Sequence, residues 1–266
     1  MIRYKLTLGY NGKGFSGWQS QPQLTSIQDH IEDKLRLIIS CNKTRVTAAS
    51  RTDSGVHAEE QIAVFDHVSE IDEPKTLKSL NSLLSPQVRI FALEKTFGDF
   101  NPIGACTGKI YRYRILQNDR ESPFFSDYIW TIKKRLDVDK MNACAAKMNG
   151  VFDFSAFCAS DSNAKTKVRE VFESCFEERG DSINFWISGS GFLKQMVRSL
   201  VGTFVDIGSE KLSSDRFWEF LETGKRGHEI KTAPANGLSL VKLFYGERVL
   251  ISNLIKRAEH GFNQTL

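Results

Sequence analysis

The sequence predicts an α+β protein built from two β-α-β-β-like halves, each placing its helices on one face of a largely antiparallel sheet. Three observations lead there. Strand-like and helix-like segments follow one another in an order that partly repeats, without any letter-by-letter repeat. The 266 residues are 41% hydrophobic and 26% charged, with 19 Gly and 6 Pro, which is enough apolar side chain for a real core and too little bias for disorder. At roughly 150 residues per domain the length suits about two domains. The turn-rich stretch at residues 98–108 supplies the boundary, giving an N-terminal half at 1–104 and a C-terminal half at 105–266. No Gly/Ser-rich linker separates the halves, so they should pack together with a cleft between them.

Residues 2–10 alternate as a strand does, and Asn11-Gly12-Lys13-Gly14 breaks the pattern. Thr25, with Gln28 three residues on, resembles a capping box; the helix it opens has Ile27, Ile31, Leu35 and Ile39 as its buried stripe. Residues 44–49 and 61–65 read as the second and third strands, 75–84 as a short helix and 87–96 as the fourth strand. In the second half the strand signals fall at 109–117, 166–178, 182–188 and 238–244, and the helix signals at 137–148, from about Gly191, and at 214–221. In the helix from Gly191, Phe192, Leu193, Met196, Val197, Leu200, Val201 and Phe204 fill a wide arc, leaving Lys194, Gln195, Arg198 and Gly202 as a narrow polar strip. So wide an apolar arc predicts a largely enclosed helix.

Composition also excludes several classes. Thirty-six Lys+Arg against 32 Asp+Glu leave a net charge of +4, which permits a polyanionic partner without demanding one. The cysteines, Cys41, Cys106, Cys144, Cys158 and Cys175, are odd in number, form no C-x-x-C pair and do not cluster with the histidines. A disulfide scaffold and a zinc ribbon are both disfavoured. The N-terminus alternates charged and apolar residues, and no long uncharged apolar run follows, so the reading is no signal peptide, no membrane span and a cytoplasmic location.

Four segments carry side chains suited to chemistry. Gly12 to Gly17 matches G-x-G-x-x-G after a strand, but a polar stretch with Pro22 follows where a dinucleotide fold needs a helix, so a loop with a bend is the better account. Ser50-Arg51-Thr52-Asp53-Ser54-Gly55-Val56-His57-Ala58 packs a cation, a carboxylate, hydroxyls and an imidazole between two strands. It can hold a carboxylate rigidly at a sheet rim, or it can be a turn in which Asp53 accepts from backbone N–H groups while Arg51 faces solvent. No strand-to-helix elbow surrounds Ser54, which argues against a Ser54/His57 hydrolase. In Lys109 to Ile115, Tyr111 and Tyr113 share one strand face and Arg112 and Arg114 the other, a pattern that suits stacking on nucleic-acid bases and equally suits tyrosines facing a core. Arg198 lies where the enclosed helix meets the core, and a guanidinium there needs an anion or carbonyl partner; the alternative is a solvated Arg on an exposed helix face.

Taken together and in this order, these segments resemble the bacterial tRNA pseudouridine synthase A family. The matching blocks are Tyr10-Asn11-Gly12 through Gln21, Arg51 through Ala58, Tyr111-Arg112-Tyr113, Gly191-Phe192-Leu193 with Met196-Val197-Arg198 and Val201-Gly202-Thr203, and Thr232 through Leu238. The Arg-Thr-Asp-x-Gly-Val-His-Ala block is the most specific. The resemblance implies two ferredoxin-like (RRM-like) halves sharing a central sheet with a catalytic cleft, and a homodimer. It implies isomerisation of uridine to pseudouridine in the anticodon stem-loop of tRNA, with no metal and no organic cofactor. By position Asp53 matches the catalytic aspartate and Tyr111 the base-stacking tyrosine. Arg198 matches the arginine that pairs with the aspartate, and Arg51 the arginine that helps turn the target base out; His57 matches a position given no chemistry. The sequence departs from the family pattern at Ser50 and Ser54, where Gly and Ala are usual, and at Lys194 and Gln195, where Tyr and Asn are usual. It departs again at residues 101–103, a stretch that usually carries His and Arg. These departures spare the three matched catalytic-site residues and bear on RNA-backbone contacts.

The reaction so implied sets its own demands. Uridine must lose its N-glycosidic bond, rotate and rejoin ribose through C5, which a stacked base cannot do, so the nucleotide must be extruded. A carboxylate can then attack C1′ or remove the C2′ proton, and the sequence leaves both routes open. Either way Asp53 must begin ionised, as a guanidinium beside it would favour. The alternative function is a tRNA-binding or RNA-folding factor of the same fold with secondary or silent catalysis, a role for which a paired carboxylate has no use.

Overall fold

Strand β1 (Ile2–Tyr10) buries Tyr4, Leu6 and Leu8 with Arg3, Lys5 and Thr7 half-buried, as its alternation predicts, and then runs fully buried through Gly9 and Tyr10. The computed structural model describes residues 1–40, 44–248 and 250–255; Cys41 lies outside them. Two compact units emerge, one from residues 1–106 with 239–245 and the other from 107–238 with the residues from 246 on. The first unit holds β1, helix α1 (Ile27–Ile39), β2 (Thr47–Ala48), β3 (His57–His67), helix α2 (Glu73–Leu84), β4 (Val88–Thr96) and, from far along the chain, β10 (Leu238–Phe244). Its strand order is β4-β1-β3-β10, with β2 also on β3. Leu6 pairs antiparallel with Ala63 on one side and Leu93 on the other, while β10 runs parallel to β3 with Ser239 opposite His57.

Helix α1 starts one residue later than its sequence signal. Ser26, not Thr25, is the N-cap: its Oγ accepts from Asp29 N at 3.0 Å and donates to the Asp29 carboxylate at 2.7 Å. Gln28, freed from capping, accepts from Gln19 Nε2 at 2.8 Å and from Ser20 N at 3.0 Å, and so ties the loop after β1 to the helix. The expected strand at residues 44–49 shrinks to β2, while the expected third strand extends in both directions to become β3.

The second unit holds β5 (Gly108–Gln117), β6 (Trp130–Ile132), helix α3 (Val138–Lys147), β7 (Gly150–Asp153), β8 (Val168–Arg179), β9 (Ser182–Gly189), helix α4 (Met196–Gly208) and helix α5 (Ser214–Thr223). Strands β5, β9, β8 and β7 are antiparallel in that order, and β6 lies parallel to β5. Strands β6 and β7 have no counterpart in the sequence reading, being too short for a period of two to register. Phe204 of α4 sits within 5.2–5.6 Å of the rings of Phe176, Phe185 and Phe217, an aromatic cluster that anchors the helix against β8, β9 and α5. Helix α4 begins at Met196 and not near Gly191, because Gln195 adopts a left-handed conformation (φ 61°) that no regular helix tolerates. The architecture is mixed α+β with mostly antiparallel pairing. Among the described residues no helix is long and apolar enough to cross a membrane, and no group of three or more His, Cys, Asp or Glu is placed to hold a metal ion.

Candidate active site

Asp53 and Arg51 share the loop that enters β3. Buried polar groups fix this loop from beneath. Gln61, fully buried in β3, donates from Nε2 to Ser50 O at 2.7 Å and accepts from Ser50 N at 3.2 Å, a two-bond clasp that substitutes for a strand partner. The Tyr10 hydroxyl lies 2.8 Å from Thr52 Oγ1, and burial pushes the Tyr10 pKa up to about 12, so this phenol stays neutral.

The glycine-bearing loop after β1 holds the same segment from above. Gly12 N donates to His57 Nδ1 at 3.0 Å, Trp18 N to Thr52 O at 3.1 Å, and Gly55 N and Ser54 Oγ both to Phe15 O, at 3.3 and 3.1 Å. A Cβ on Gly12 would fall 2.2 Å from Val56 O, and one on Gly17, at φ +92°, 2.6 Å from Thr52 O. The two glycines of the G-x-G-x-x-G pattern that matter therefore serve close backbone approach to the Asp53 loop, and no helix follows before α1. Val56 N donates to Asp53 O at 3.1 Å, closing the turn. Asp53 is half-buried and Arg51 exposed.

In the second unit Tyr111 and Tyr113 are both buried on one face of β5, while Arg112 and Arg114 on the other are half-buried. Both tyrosines are therefore removed from solvent, as a core-facing strand requires. They differ in what they meet. The Tyr113 hydroxyl donates to Pro234 O at 2.8 Å, and burial pushes its pKa far up while the Arg198 cation pulls it partly back. The Tyr111 ring meets Phe192 edge-on at 5.3 Å. Arg112 lies over the Trp186 ring at 5.0 Å.

Every residue of α4 except Arg198 is buried, so the helix is more enclosed than even a broad apolar arc predicts. Arg198 Nε donates to Ala233 O at 2.8 Å while Ala233 N donates back to Arg198 O at 3.0 Å. Arg198 is thus gripped at both backbone and side chain by the segment before β10, whose next residue supplies the acceptor for Tyr113. Of the matched residues, Arg51 and Asp53 share one loop; Arg198 shares the 233–234 segment with Tyr113, two residues along β5 from the matched Tyr111. Lys194, by contrast, is drawn to Asp161 at 2.6 Å on the surface. The sequence reading missed the supporting roles of Gln61 and of the 233–234 segment. A Gln within a strand otherwise rich in apolar residues was the available signal for the first; the second is a long-range contact with no local signature.

A family model described as tRNA pseudouridine synthase matches residues 144–246. The chain is 39% identical over 246 residues to "tRNA pseudouridine synthase A" of Myxococcus xanthus, covering 92% of each. It is 36% identical over 256 residues to the protein of the same name from Thermodesulfovibrio yellowstonii, covering 92% of this chain and 100% of the relative. For the Bacillus pumilus protein the figures are 34% over 245 residues, 92% and 99%. A solved structure, the crystal structure of a Cbf5-Nop10-Gar1 complex, aligns at a TM-score of 0.38 and 12% identity over 97% of this chain and 65% of its own, too loose a likeness to bear on the fold. Identity of this level along nearly the whole of both chains settles the family: this protein belongs to the tRNA pseudouridine synthase A family and is an RNA pseudouridine synthase, an isomerase.

Proposed function

We propose that this enzyme converts uridine to pseudouridine in the anticodon stem-loop of tRNA, with Asp53 as its catalytic carboxylate. The observation that carries the reading is the loop bearing Asp53, which is clasped by Gln61 from one side and by Gly12, Phe15 and Trp18 from the other. A group that must act at a sugar carbon gains from such fixing, because a rigid support keeps the reacting atoms aligned. The target uridine is everted at a cost of a few kcal/mol, recovered by stacking and polar contacts. Asp53 then attacks C1′ or takes the C2′ proton as the N1–C1′ bond breaks and the base leaves with that electron pair. The base turns, C5 bonds to C1′ as the carboxylate departs or the C2′ proton returns, and the C5 proton is lost while N1 gains one.

In this reading Tyr111 stacks on the everted base, Arg198 pairs with Asp53 and holds it ionised, and Arg51 helps turn the base out. Organic cofactor and metal are not required, since bond breaking and re-formation occur within one nucleotide. In this reading the chain comprises two ferredoxin-like halves, residues 1–104 and 105–266 in sequence, with 239–245 folding into the first unit, and the enzyme works as a homodimer in the cytoplasm. The test is incubation of the protein with unmodified tRNA, followed by mapping of converted uridines with a pseudouridine-selective label. Conversion confined to anticodon stem-loop uridines is expected, and conversion confined to another arm overturns the assignment of the target.

A further inference from the structure

Residues 226–234 form a strap laid along α4. A Cβ on Gly202 would fall 2.1 Å from Lys231 O, so strap and helix backbones are in direct contact there. Lys231 Nζ lies 3.1 Å from the Asp206 carboxylate, one turn further on. At the working end, Ala233 exchanges hydrogen bonds with both the backbone and the guanidinium of Arg198. The direction in which Arg198 points is therefore set by where the strap lies.

One side chain ties the strap down on both flanks of that contact. Arg226 donates to Ile230 O at 3.1 Å and to Thr232 Oγ1 at 3.4 Å within the strap, and to Ser199 Oγ at 3.3 Å and Ala156 O at 3.2 Å outside it. Ser199 adjoins Arg198 in α4, and Thr232 adjoins Ala233. All four of these acceptors are neutral, and among the described residues no carboxylate pairs with this guanidinium; its planar fork is used for geometry. Burial pulls its pKa down from the ordinary arginine value, with the nearby Cys158 opposing.

We propose that Arg226 is a positioning residue for Arg198, fixing the strap so that Ala233 O holds the Arg198 guanidinium in its working direction. The inference rests on Arg198 taking part in the reaction. It is tested with Arg226→Met and Arg198→Lys, made singly and together, by single-turnover isomerisation at saturating unmodified tRNA, with tRNA affinity measured on the same samples. Arg226→Met should slow the step about tenfold or more with affinity held within about threefold, and should cost less than about threefold further once Arg198 is Lys. A wild-type rate for Arg226→Met beside an impaired Arg198→Lys overturns the inference. So does an equal loss in both backgrounds, which a general loosening of the unit would give. A wild-type rate for Arg198→Lys overturns the role given to Arg198, and the inference with it. If Arg226→Met does not fold, Arg226→Lys, which keeps the cation and serves fewer acceptors, takes its place in the same cycle with the same outcomes.

Discussion

In the first unit Asp53 rides on a loop, while in the second Arg198 projects from a helix buried on all its other residues, and the two solve the problem of holding a charged side chain differently. The Asp53 loop is pinned by neutral hydrogen bonds and by backbone contacts so close that only glycine fits, as at Gly17. Arg198 rests instead on a helix that the aromatic cluster around Phe204 fixes as a body, with one comparable close contact where Gly202 meets Lys231 O. The difference extends to the backbone. The left-handed turn at Gly17 is unstrained, since glycine lacks a Cβ, whereas Gln195, three residues before Arg198, holds φ 61° against a cost of about 1–2 kcal/mol.

The sharpest way to break this comparison is at the proposed catalytic carboxylate of the first unit and the proposed stacking tyrosine of the second. Asp53→Asn keeps the size of the side chain and removes its charge; single-turnover isomerisation should fall about a thousandfold or more while tRNA affinity stays within about tenfold, since most affinity comes from backbone contacts. Parallel loss of rate and affinity would make Asp53 a binding residue. Tyr111→Phe preserves the edge-on contact with Phe192 and any stacking, and should slow the reaction about tenfold to a hundredfold through loss of a hydroxyl that moves the proton at C5. An unchanged rate would leave Tyr111 as a platform.

Stability separates the two supports. Gly17→Ala places a methyl 2.6 Å from Thr52 O in a left-handed turn, and urea unfolding should show a loss of about 2–3 kcal/mol. A loss under about 0.5 kcal/mol would mean the loop yields instead. Alkali probes the same loop. The Tyr10 hydroxyl titrates near 12 when folded, above its ordinary value near 10. Its contribution is therefore complete below the unfolded value and is lost as pH rises through the folded one. Tyr10→Phe should flatten the fall in stability across that window, measured by unfolding at stepped pH. Smallest of all, Gln195→Gly should stabilise by a net 0.5 kcal/mol or so, relief of the left-handed strain outweighing the entropy glycine loses on folding. A destabilisation would show that the Gln195 side chain earns its place by contacts.

Much of this was legible in the sequence, for identifiable reasons. Strand β10 follows the reading at residues 238–244, because its apolar run is bounded on both sides by turn residues. Likewise Asp53 stood out between two strands with Gly55 to turn the chain. The start of α4 was not legible: apolar spacing runs unbroken through residues 191–195, and periodicity cannot register one left-handed residue. Nor was the cap of α1, where two adjacent hydroxyl residues compete and only the backbone decides between them. The grip of Ala233 on Arg198 spans 35 residues, and no local pattern encodes it.

The placing of β10 also bears on how the protein is made. Its register sets Ser239 against His57, and Lys242 reaches Glu60 at 2.9 Å, while the Tyr245 hydroxyl donates to Pro102 O at 2.9 Å. On the ribosome, the first residues of the strand that begins just past the Asp53 loop, His57 and Ala58, therefore wait for their β10 partners until translation has passed residue 240, while β2 pairs further along at Ala63 and Val64. The aspartate's scaffold can be completed only after the arginine's helix has emerged, so a prematurely terminated product would carry the carboxylate on an unfinished sheet.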